Sequence, residues 1–325
     1  MALLALWVAG LFAYQLPGPG WLSAGVAVLW LLAALWTALM VARGKGTKRW
    51  TGFYVASVAL AGLWWLLLTP RQDRDWADDV AQRLHVESFD GRHVVLDNVR
   101  DFTWRTETDH DARWVRREYD LDQLRSADLV LSYWMGPAIA HTLVSFGFDD
   151  GRHLVFSLEI RKEQGESFSA LGGFFRRFEM TLVASEETDI LRTRTNARGE
   201  DVYLYRLHGL DRGQLKALFA AYLDEAKQLD AAPAFYNTAT SNCTTIVFDL
   251  ARHIAPGLPL DYRLLLSGYL AEYAQEVGAL MPGVPYAELH AKGRITERAL
   301  HMAAGENYST VIRRGIPGTE QDPQQ

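Results

Sequence analysis

The first 70 residues contain no aspartate and no glutamate, and this absence excludes an ordinary solvated protein surface for the segment. Its four charged side chains are all basic: Arg43, Lys45, Lys48 and Arg49. Two uncharged apolar runs flank them, residues 21–42 with 22 residues and residues 50–68 with 19 residues. Each run is long enough to cross the roughly 30 Å hydrocarbon core as a helix. We predict that both span a membrane.

A further apolar run, residues 2–16, is only 15 residues long. It lacks the basic start and cleavage site of a signal peptide, and Pro-Gly-Pro-Gly at 17–20 joins it to the next run as a turn. We predict a short first span; the alternatives are a span cut short by the start of the sequence and an interfacial segment. The basic loop lies between the second and third runs. The positive-inside rule therefore places this loop in the cytoplasm and residues from 69 onward outside.

Cysteine is nearly absent, because Cys243 is the only one in 325 residues. A single thiol excludes an intrachain disulfide. The nine histidines show no His-x-x-x-His spacing and no Cys-x-x-Cys pair exists, so we predict neither a metal site nor a cofactor. The net charge of −6 argues against nucleic acid as a partner. The oligomeric state stays open.

Residues 1–70 are thus predicted as a membrane region with two or three transmembrane helices, and residues 71–315 as one extracytoplasmic domain of the α+β class. A flexible tail is expected over 316–325. The predicted strands are a hairpin over 86–104, a strand over 129–134, strands 142–148 and 153–160 around the turn 149–152, and a strand over 203–207. The predicted helices cover 214–229, 243–253 and the region from 269 onward.

The residues after Cys243 carry the apolar spacing of one helical face, at Ile246, Val247, Leu250 and Ile254. This spacing predicts a helix over 243–253. Ser241 and Asn242 are good N-cap residues, so Cys243 is expected in the first turn. The helix dipole favours an anion there, and a thiolate in such a position is nucleophilic near neutral pH. The alternative is an inert, buried thiol.

His141 opens the first strand of the hairpin around 149–152, and it precedes Cys243 by 102 residues (243 − 141). If the loop has three residues and Gly151 is left-handed, His141 pairs across from Glu159. If the loop has two residues, His141 pairs across from Ile160 instead. A carboxylate that interrupts an apolar run is costly unless it is partnered. We therefore favour Glu159 as the partner, against the alternative of a solvated strand face.

These residues together form the constellation of a nucleophilic acyl-transfer site. Cys243 is the predicted nucleophile, His141 is the base that accepts the thiol proton, and Glu159 fixes the tautomer of the imidazole. N–H groups at the helix start are expected to stabilise the oxyanion. The residues expected to support this site are Asn242, Thr244 and Tyr133.

Several stretches carry a resemblance to a known family: Leu-Ser-Tyr-Trp at 131–134, Pro-Ala-Ile-Ala-His-Thr at 137–142 continuing to 151, and residues 159–163, 165–170, 173–176, 198–207 and 242–245. On these residues the chain resembles the Lnb N-terminal periplasmic domain family over about residues 85 to 315. The family is named for a bacterial lipoprotein N-acyltransferase.

This resemblance implies a circularly permuted papain-like domain, in which an antiparallel sheet packs on the cysteine-bearing helix. It implies Cys243 as nucleophile and His141 as base, with Glu159 in the third polar position. The predicted spans and their orientation, together with this resemblance, lead us to expect a multi-pass protein of the bacterial inner membrane with its C-terminal domain in the periplasm. One departure is that the named acyltransferase carries its domain before its membrane segments, whereas here the apolar runs come first.

Residues 168–178 interleave four phenylalanines with Arg176 and Arg177, which predicts an aromatic and cationic lip at the lipid headgroups. The alternative is an amphipathic core segment with a solvated basic edge. Three other basic residues are candidates for phosphate contacts: Arg161, Lys162 and Arg198.

The expected function is that of a membrane-anchored periplasmic Cys-His thiol acyltransferase or acyl hydrolase. Its partners would be membrane lipid and lipoprotein, and it would work through a thioester. One alternative is a periplasmic cysteine peptidase or amidase that acts on cell-wall peptides. Another is a non-catalytic envelope-assembly module.

Overall fold

The computed structural model describes residues 1–320 and divides into two compact units. The first, here called the apolar unit, comprises Met1–Arg74, Ser167–Glu179 and Ala234–Thr238. The second, here called the sheet unit, comprises Asp75–Glu166, Met180–Pro233 and the residues from 239 onward. The apolar unit therefore contains two short segments that the sequence had led us to place in the extracytoplasmic domain.

The helices are α1 (Ala2–Gln15), α2 (Gly20–Ala42), α3 (Thr47–Leu67), α4 (Ala170–Phe174), α5 (Glu187–Arg192), α6 (Arg212–Ala231), α7 (Cys243–Ile254), α8 (Leu270–Glu276), α9 (Tyr286–Gly293), α10 (Thr296–Leu300) and α11 (Tyr308–Arg313). The strands are β1 (His85–Phe89), β2 (His93–Arg100), β3 (Thr103–Trp104), β4 (His110–Asp111), β5 (Trp114–Asp120), β6 (Leu124–Tyr133), β7 (Ala140–Phe148), β8 (His153–Arg161), β9 (Glu179–Glu186) and β10 (Asp201–Arg206). A π-helical turn, Thr193–Ala197, continues α5.

Two helices of the described chain, α2 and α3, are long and apolar enough to cross a membrane, as judged by length and composition. The apolar helix α1 has only 14 residues, or about 21 Å at 1.5 Å per residue, which is less than the hydrocarbon thickness. The buried positions of α2 and α3 include small residues such as Ala34 and Ala61, whereas large residues such as Leu29 and Leu66 are exposed. This inside-out pattern is typical of helices that face lipid.

The short helix α1 packs along α2 and α3 through small buried residues. Ala5 belongs to one cluster with Ala34 and Tyr54. The Trp30 indole N–H of α2 donates a hydrogen bond to the Ala5 carbonyl, with an N–O distance of 2.9 Å. Close backbone approach through small residues is the usual way in which helices associate within lipid.

The sheet unit contains an eight-stranded sheet with the order β1-β2-β9-β8-β7-β6-β10, and β5 pairs with β2. Most of its strands pair antiparallel, but β2 and β9 meet as parallel neighbours at Arg100 and Ser185. The sheet is therefore mixed, which corrects the prediction of an antiparallel sheet. The α+β class is confirmed. Strands β5 and β9 had not been predicted.

The β7–β8 hairpin has the register expected for a three-residue loop. Leu143 pairs with Ser157, and Gly147 pairs with His153. Gly151 lies in the left-handed region at φ 80°, and its N–H donates to the Phe148 carbonyl. Because side chains alternate between faces, continuing this register by two residues sets His141 opposite Glu159 on one face.

Hydrophobic clusters cover the two faces of the sheet. On one face, Phe146 and Phe156 pack against Phe219 and Tyr222 of α6. The other face carries Leu143 in a cluster that is shared with residues of α5, α10 and α11. His141 and Leu143 are two residues apart on β7, so they point to this second face.

The segment expected to be a loose tail begins as packed structure. Ile316 and Thr319 are buried, and the Thr319 hydroxyl donates to the carbonyls of Arg313 and Ile316 at 3.0 and 2.9 Å. The remaining positions of the predicted tail, 321–325, lie outside the described residues. The flexible tail is therefore a wrong prediction for residues 316–319.

A fully buried ion cluster ties the C-terminal helix to the sheet. The Arg313 guanidinium donates to Asp128 at 2.7 Å and to Glu187 at 2.6 Å. Asp128 also accepts from Arg206 at 2.6 Å, and Glu187 also accepts from Ser145 at 2.6 Å. Burial alone raises the pKa of Glu187, but Arg313 outweighs burial and the pKa lies well below its usual value. Each buried charge thus has an opposite partner.

We expect Arg313→Met to lower the free energy of unfolding by about 3 kcal/mol, because Glu187 would keep only Ser145 as a partner in the interior. For a domain of this size that loss lowers Tm by roughly 10 °C. Thermal unfolding of the full chain in detergent, followed by circular dichroism, measures the shift. The control is Arg314→Met, because the Arg314 side chain is 54% exposed and pairs with Glu306 at the surface. An equal shift in both variants would contradict the role of the buried cluster.

Candidate active site

Cys243 is the first residue of α7, as the capping pattern predicts. The Asn242 side chain accepts hydrogen bonds from the N–H groups of Thr244 and Thr245 at 2.9 and 3.0 Å. The Thr245 hydroxyl in turn accepts from the Asn242 N–H at 2.9 Å, which completes a capping box. The Asn242 side chain therefore occupies the N–H groups of Thr244 and Thr245 but not the N–H group of Cys243.

A loop from another part of the chain holds the start of β7. The Ser267 hydroxyl accepts from the Ala140 N–H at 2.9 Å and donates to the Ala140 carbonyl at 2.6 Å. Gly268 donates its N–H to the Ala138 carbonyl at 3.0 Å. A Cβ at position 268 would collide with the Pro137 carbonyl oxygen, so this close approach needs glycine. Both the N–H and the carbonyl of Ala140, the residue immediately before His141, are therefore held by Ser267.

His141 and Glu159 meet as the hairpin register predicts. The Nε2 atom of His141 lies 3.2 Å from Oε1 of Glu159 and 2.6 Å from the Ser157 hydroxyl. The same hydroxyl donates to Oε1 of Glu159 at 2.7 Å. Since Ser157 has one proton and gives it to Glu159, it accepts from Nε2–H of His141. Ser157 thus fixes the imidazole with a proton on Nε2.

Glu159 is held in turn by a buried arginine. Arg194, in the π-helical turn, donates to Oε1 of Glu159 at 3.0 Å and to Oε2 of Glu200 at 3.1 Å. Glu200 also accepts from the Ser132 hydroxyl. Ser132 on β6 pairs with His141 on β7, so the series ends beside the residue at which it begins. π-Helical turns occur frequently at functional sites.

The thiol of Cys243 lies among three hydrogen-bonding groups. They are the His141 side chain, the Thr142 N–H and the Thr244 hydroxyl, whose Oγ1 is 3.9 Å from the sulfur. Burial raises the pKa of Cys243, but the charge of His141 and these hydrogen bonds outweigh burial, and the pKa lies below its usual value. These surroundings favour the thiolate form more than burial alone would.

The electrostatics of His141 complement those of the thiol. Burial lowers the pKa of His141, but the Glu159 carboxylate and the Cys243 thiol outweigh burial and raise it to about 9. Burial likewise raises the pKa of Glu159, whereas His141 and Arg194 bring it well below its usual value. At neutral pH the Glu159 carboxylate therefore lies between two cations, the His141 imidazolium and the Arg194 guanidinium. In such a buried series, each charged group is stabilised by the opposite charge beside it.

The expected supporting residues have other partners. The side chain of Asn242 is occupied as the helix cap. The Thr244 hydroxyl pairs with the Thr142 hydroxyl at 2.9 Å besides facing the sulfur. The Tyr133 hydroxyl donates to the Gly268 carbonyl at 2.6 Å, so Tyr133 braces the loop beside β7 instead of serving the oxyanion. Among the N–H groups at the helix start, those of Thr244 and Thr245 are occupied by the Asn242 side chain.

Sequence reasoning had missed Ser157, Arg194, Glu200 and Ser132. The Ser157 position was recoverable, because it precedes Glu159 by two residues and so shares its strand face. No local pattern pointed to Arg194, which belongs to a turn after a strand that was not predicted.

The basic residues expected to contact phosphate are paired within the protein instead. Lys162 lies 3.1 Å from Asp79, Arg198 lies near Asp79 and Glu200, and Arg161 donates to the Val80 carbonyl. Among residues 1–320, no three side chains of His, Cys, Asp or Glu form a group that could hold a metal.

A family model described as the Lnb N-terminal periplasmic domain matches residues 110–268. Comparison with curated proteins gave no match, and comparison with solved structures gave none. The matched segment runs from β4 to the turn at Gly268, and it includes His141, Glu159 and Cys243. Residues 110–268 of the chain are thus similar to the Lnb N-terminal periplasmic domain family.

Proposed function

We propose that the chain is a membrane-anchored periplasmic thiol enzyme, an acyltransferase or acyl hydrolase that acts on acyl groups of lipoproteins or phospholipids. The observation that carries this proposal is the buried series of Cys243, His141 and Glu159, in which the pKa of the thiol is lowered and that of the imidazole is raised. A thiolate held beside an imidazolium is the arrangement that nucleophilic acyl transfer requires.

In the first half-reaction the Cys243 thiolate attacks the carbonyl carbon of an acyl ester. A C–S bond forms and the carbonyl oxygen takes the negative charge, for which the Cys243 N–H is the available first-turn donor. When the C–O bond breaks, the His141 imidazolium gives its proton to the leaving alkoxide. The products are an alcohol and a thioester on Cys243.

In the second half-reaction an amine or a water molecule attacks the thioester carbon. Neutral His141 accepts a proton from the attacking group, the C–S bond breaks, and the thiolate–imidazolium pair is restored. An amine yields an amide, as in lipoprotein N-acylation, and water yields a free fatty acid. Because Nε2 already donates to Ser157, we assign these proton transfers to Nδ1.

The apolar unit supports a membrane location for this chemistry. The helices α2 and α3 would cross the inner membrane, with the basic turn between them in the cytoplasm. Residues after α3 then lie in the periplasm, in agreement with the family that residues 110–268 match. A tethered domain meets lipid and lipoprotein substrates without leaving the membrane surface.

The proposed architecture is that of a permuted papain-like thiol enzyme. In support, Phe248 of α7 shares a hydrophobic cluster with Leu129, Leu131 and Ala140 of β6 and β7. The histidine comes from β7, before the cysteine in the chain. This order of base and nucleophile is the one that the permuted arrangement requires.

Replacing Cys243 with alanine should lower acyl transfer by at least about 10³-fold, because the members of such a site act as a unit. The test uses full-length protein in phospholipid vesicles with a diacylated lipoprotein, and mass spectrometry of the protein. Wild type should gain one acyl group at Cys243 that hydroxylamine removes.

Cys243→Ala that turns over the acyl substrate at the wild-type rate would exclude this residue as the nucleophile. Cleavage of cell-wall peptides without any lipid thioester would instead assign the site to a peptidase.

Replacing Glu159 with glutamine should lower the pKa of His141 from about 9, because burial would act without the opposing carboxylate. As the pH rises, the imidazolium would then lose its proton at a lower pH than in the wild type. The alkaline limb of the pH–activity profile should therefore move down by roughly 1–3 pH units. The pH dependence of Cys243 alkylation by iodoacetamide should show a raised thiol pKa. The control is Glu118→Gln, whose side chain is 71% exposed. Unchanged profiles in Glu159→Gln would contradict the assigned role.

Replacing Ser157 with alanine should reduce acyl transfer by roughly 10- to 100-fold, because two hydrogen bonds to charged groups are lost. Glu159 would remain 3.2 Å from His141, so the reduction should be smaller than in Glu159→Gln. Initial rates on the same vesicle substrate measure the effect. Ser126→Ala is the matched control, since Ser126 is also buried but lies on β6 outside the site. Equal rates in wild type and Ser157→Ala would show that the bridge has no role in positioning.

A further inference from the structure

The segment expected to form an aromatic lip divides into a buried and an exposed part. Phe178 is fully buried. Three other apolar side chains of the segment are exposed, with Leu171 at 61%, Phe174 at 44% and Phe168 at 37%. Leu171 and Phe174 belong to the short helix α4, and the whole segment is part of the apolar unit. A cluster of exposed apolar side chains typically marks a surface that binds another protein or a membrane.

Phe175 docks this segment onto the apolar helices. Its ring stacks on Tyr14 with centroids 5.5 Å apart and meets Trp65 edge-on at 6.4 Å. The ring also lies over Gly10 in the middle of α1, where a Cβ would collide with it. A glycine is therefore required at this position of α1 for the ring to approach.

Hydrogen bonds fix the backbone next to this ring. The Gln15 side chain donates to the Phe175 carbonyl at 2.5 Å and to the Arg176 carbonyl at 2.8 Å. Arg176 donates to the Trp65 carbonyl in the last turn of α3 at 2.8 Å, and its guanidinium lies 4.6 Å from the Trp65 ring centroid. Arg176 adopts a left-handed conformation at φ 56°, which is unusual for a side chain of this kind. The docked segment is thus held in one arrangement.

The exposed face of α4 belongs to the same unit as a large outward apolar surface. At the end of α3 that Arg176 contacts, Leu63, Leu66 and Leu67 are all exposed. On a membrane-spanning helix, an outward surface of large apolar side chains is the surface that lipid covers. A cation beside aromatic rings at the end of the helix is typical of the membrane–water interface.

We infer that α4 is a lipid-docking element, with Leu171 and Phe174 inserted among the acyl chains of the membrane that α2 and α3 would span. The inference rests on the membrane anchoring of the proposed function. It adds that a segment far from the apolar helices in sequence also binds lipid, and that the occupant of its exposed face is the bilayer itself.

The element is tied to the part of the chain that leads to the nucleophile. The Thr238 hydroxyl donates to the Ala170 carbonyl, at the start of α4, at 2.7 Å. A Cβ on Gly173 would collide with the same hydroxyl, so α4 needs glycine there. Thr238 precedes Cys243 by only five residues (243 − 238). Lipid bound at α4 would therefore contact an element that is hydrogen-bonded to the segment leading into α7.

Spin labelling tests the inference in the full chain. Cys243→Ala removes the only native thiol, and single cysteines are then placed at Leu171 and Phe174 and labelled with a nitroxide. The protein is reconstituted in nanodiscs of phosphatidylethanolamine and phosphatidylglycerol. Leu32 of α2 is the position expected in lipid, and Asp224 of α6 is the position expected in water, since its side chain is 65% exposed.

Labels at 171 and 174 should resemble the label at 32, with a ratio of oxygen to aqueous nickel-chelate accessibility several-fold above that at 224. If the labels at 171 and 174 gave the same accessibility ratio as the label at 224, while the label at 32 lay in lipid, the inference would be overturned. The membrane anchoring of the proposed function would then still hold. Shielding from both reagents would overturn it in favour of a protein partner. Water accessibility at 32 as well would refute the anchoring of the proposed function, and the inference with it.

Discussion

The register between β7 and β8 decides which side chains surround the imidazole of His141. Gly151 in the left-handed conformation closes a three-residue loop, and the pairing that follows sets Glu159 opposite His141. A slip of one residue would bring Ile160 to this place and turn the carboxylate to the other face of the sheet. The positions of Ser157 and Arg194 around the carboxylate depend on the same register, and so does the raised pKa of His141.

The face that carries this site also carries the ion cluster around Arg313. Ser145 of that cluster lies four residues after His141 on β7, about 13 Å along the strand, with Leu143 between them. Charges in such surroundings persist only where each has a partner of opposite sign. Both clusters meet this condition through arginines that come from segments after β9. One cluster ties the C-terminal helix to the sheet, and the other holds the His141 imidazole beside the Glu159 carboxylate.

The apolar unit is more than a tether in this chain. It includes two segments distant in sequence from α1, α2 and α3, and one of them, Ala234–Thr238, ends shortly before Cys243. Phe175 and Arg176 attach the other segment to α1 and α3 through a stacked ring, a cation–π contact and hydrogen bonds to backbone carbonyls. The two segments are joined to each other as well, because the Thr238 hydroxyl donates to the Ala170 carbonyl at 2.7 Å.

Local patterns in the sequence were sufficient for the elements whose signals are short in range. The cap at Asn242 placed Cys243 in the first turn of α7, and length with composition predicted α2 and α3. The turn at 149–152 predicted the hairpin but allowed two registers, and the structure has the one that was favoured. Only the tertiary structure decided how donors and acceptors are used. It assigned Asn242 to the cap and Tyr133 to Gly268, and it brought Arg194 to Glu159 from a turn that has no local signature. The physical reason is that periodicity and turn chemistry are read within a few residues, whereas the partner of a buried charge is chosen by packing between segments that the sequence keeps far apart.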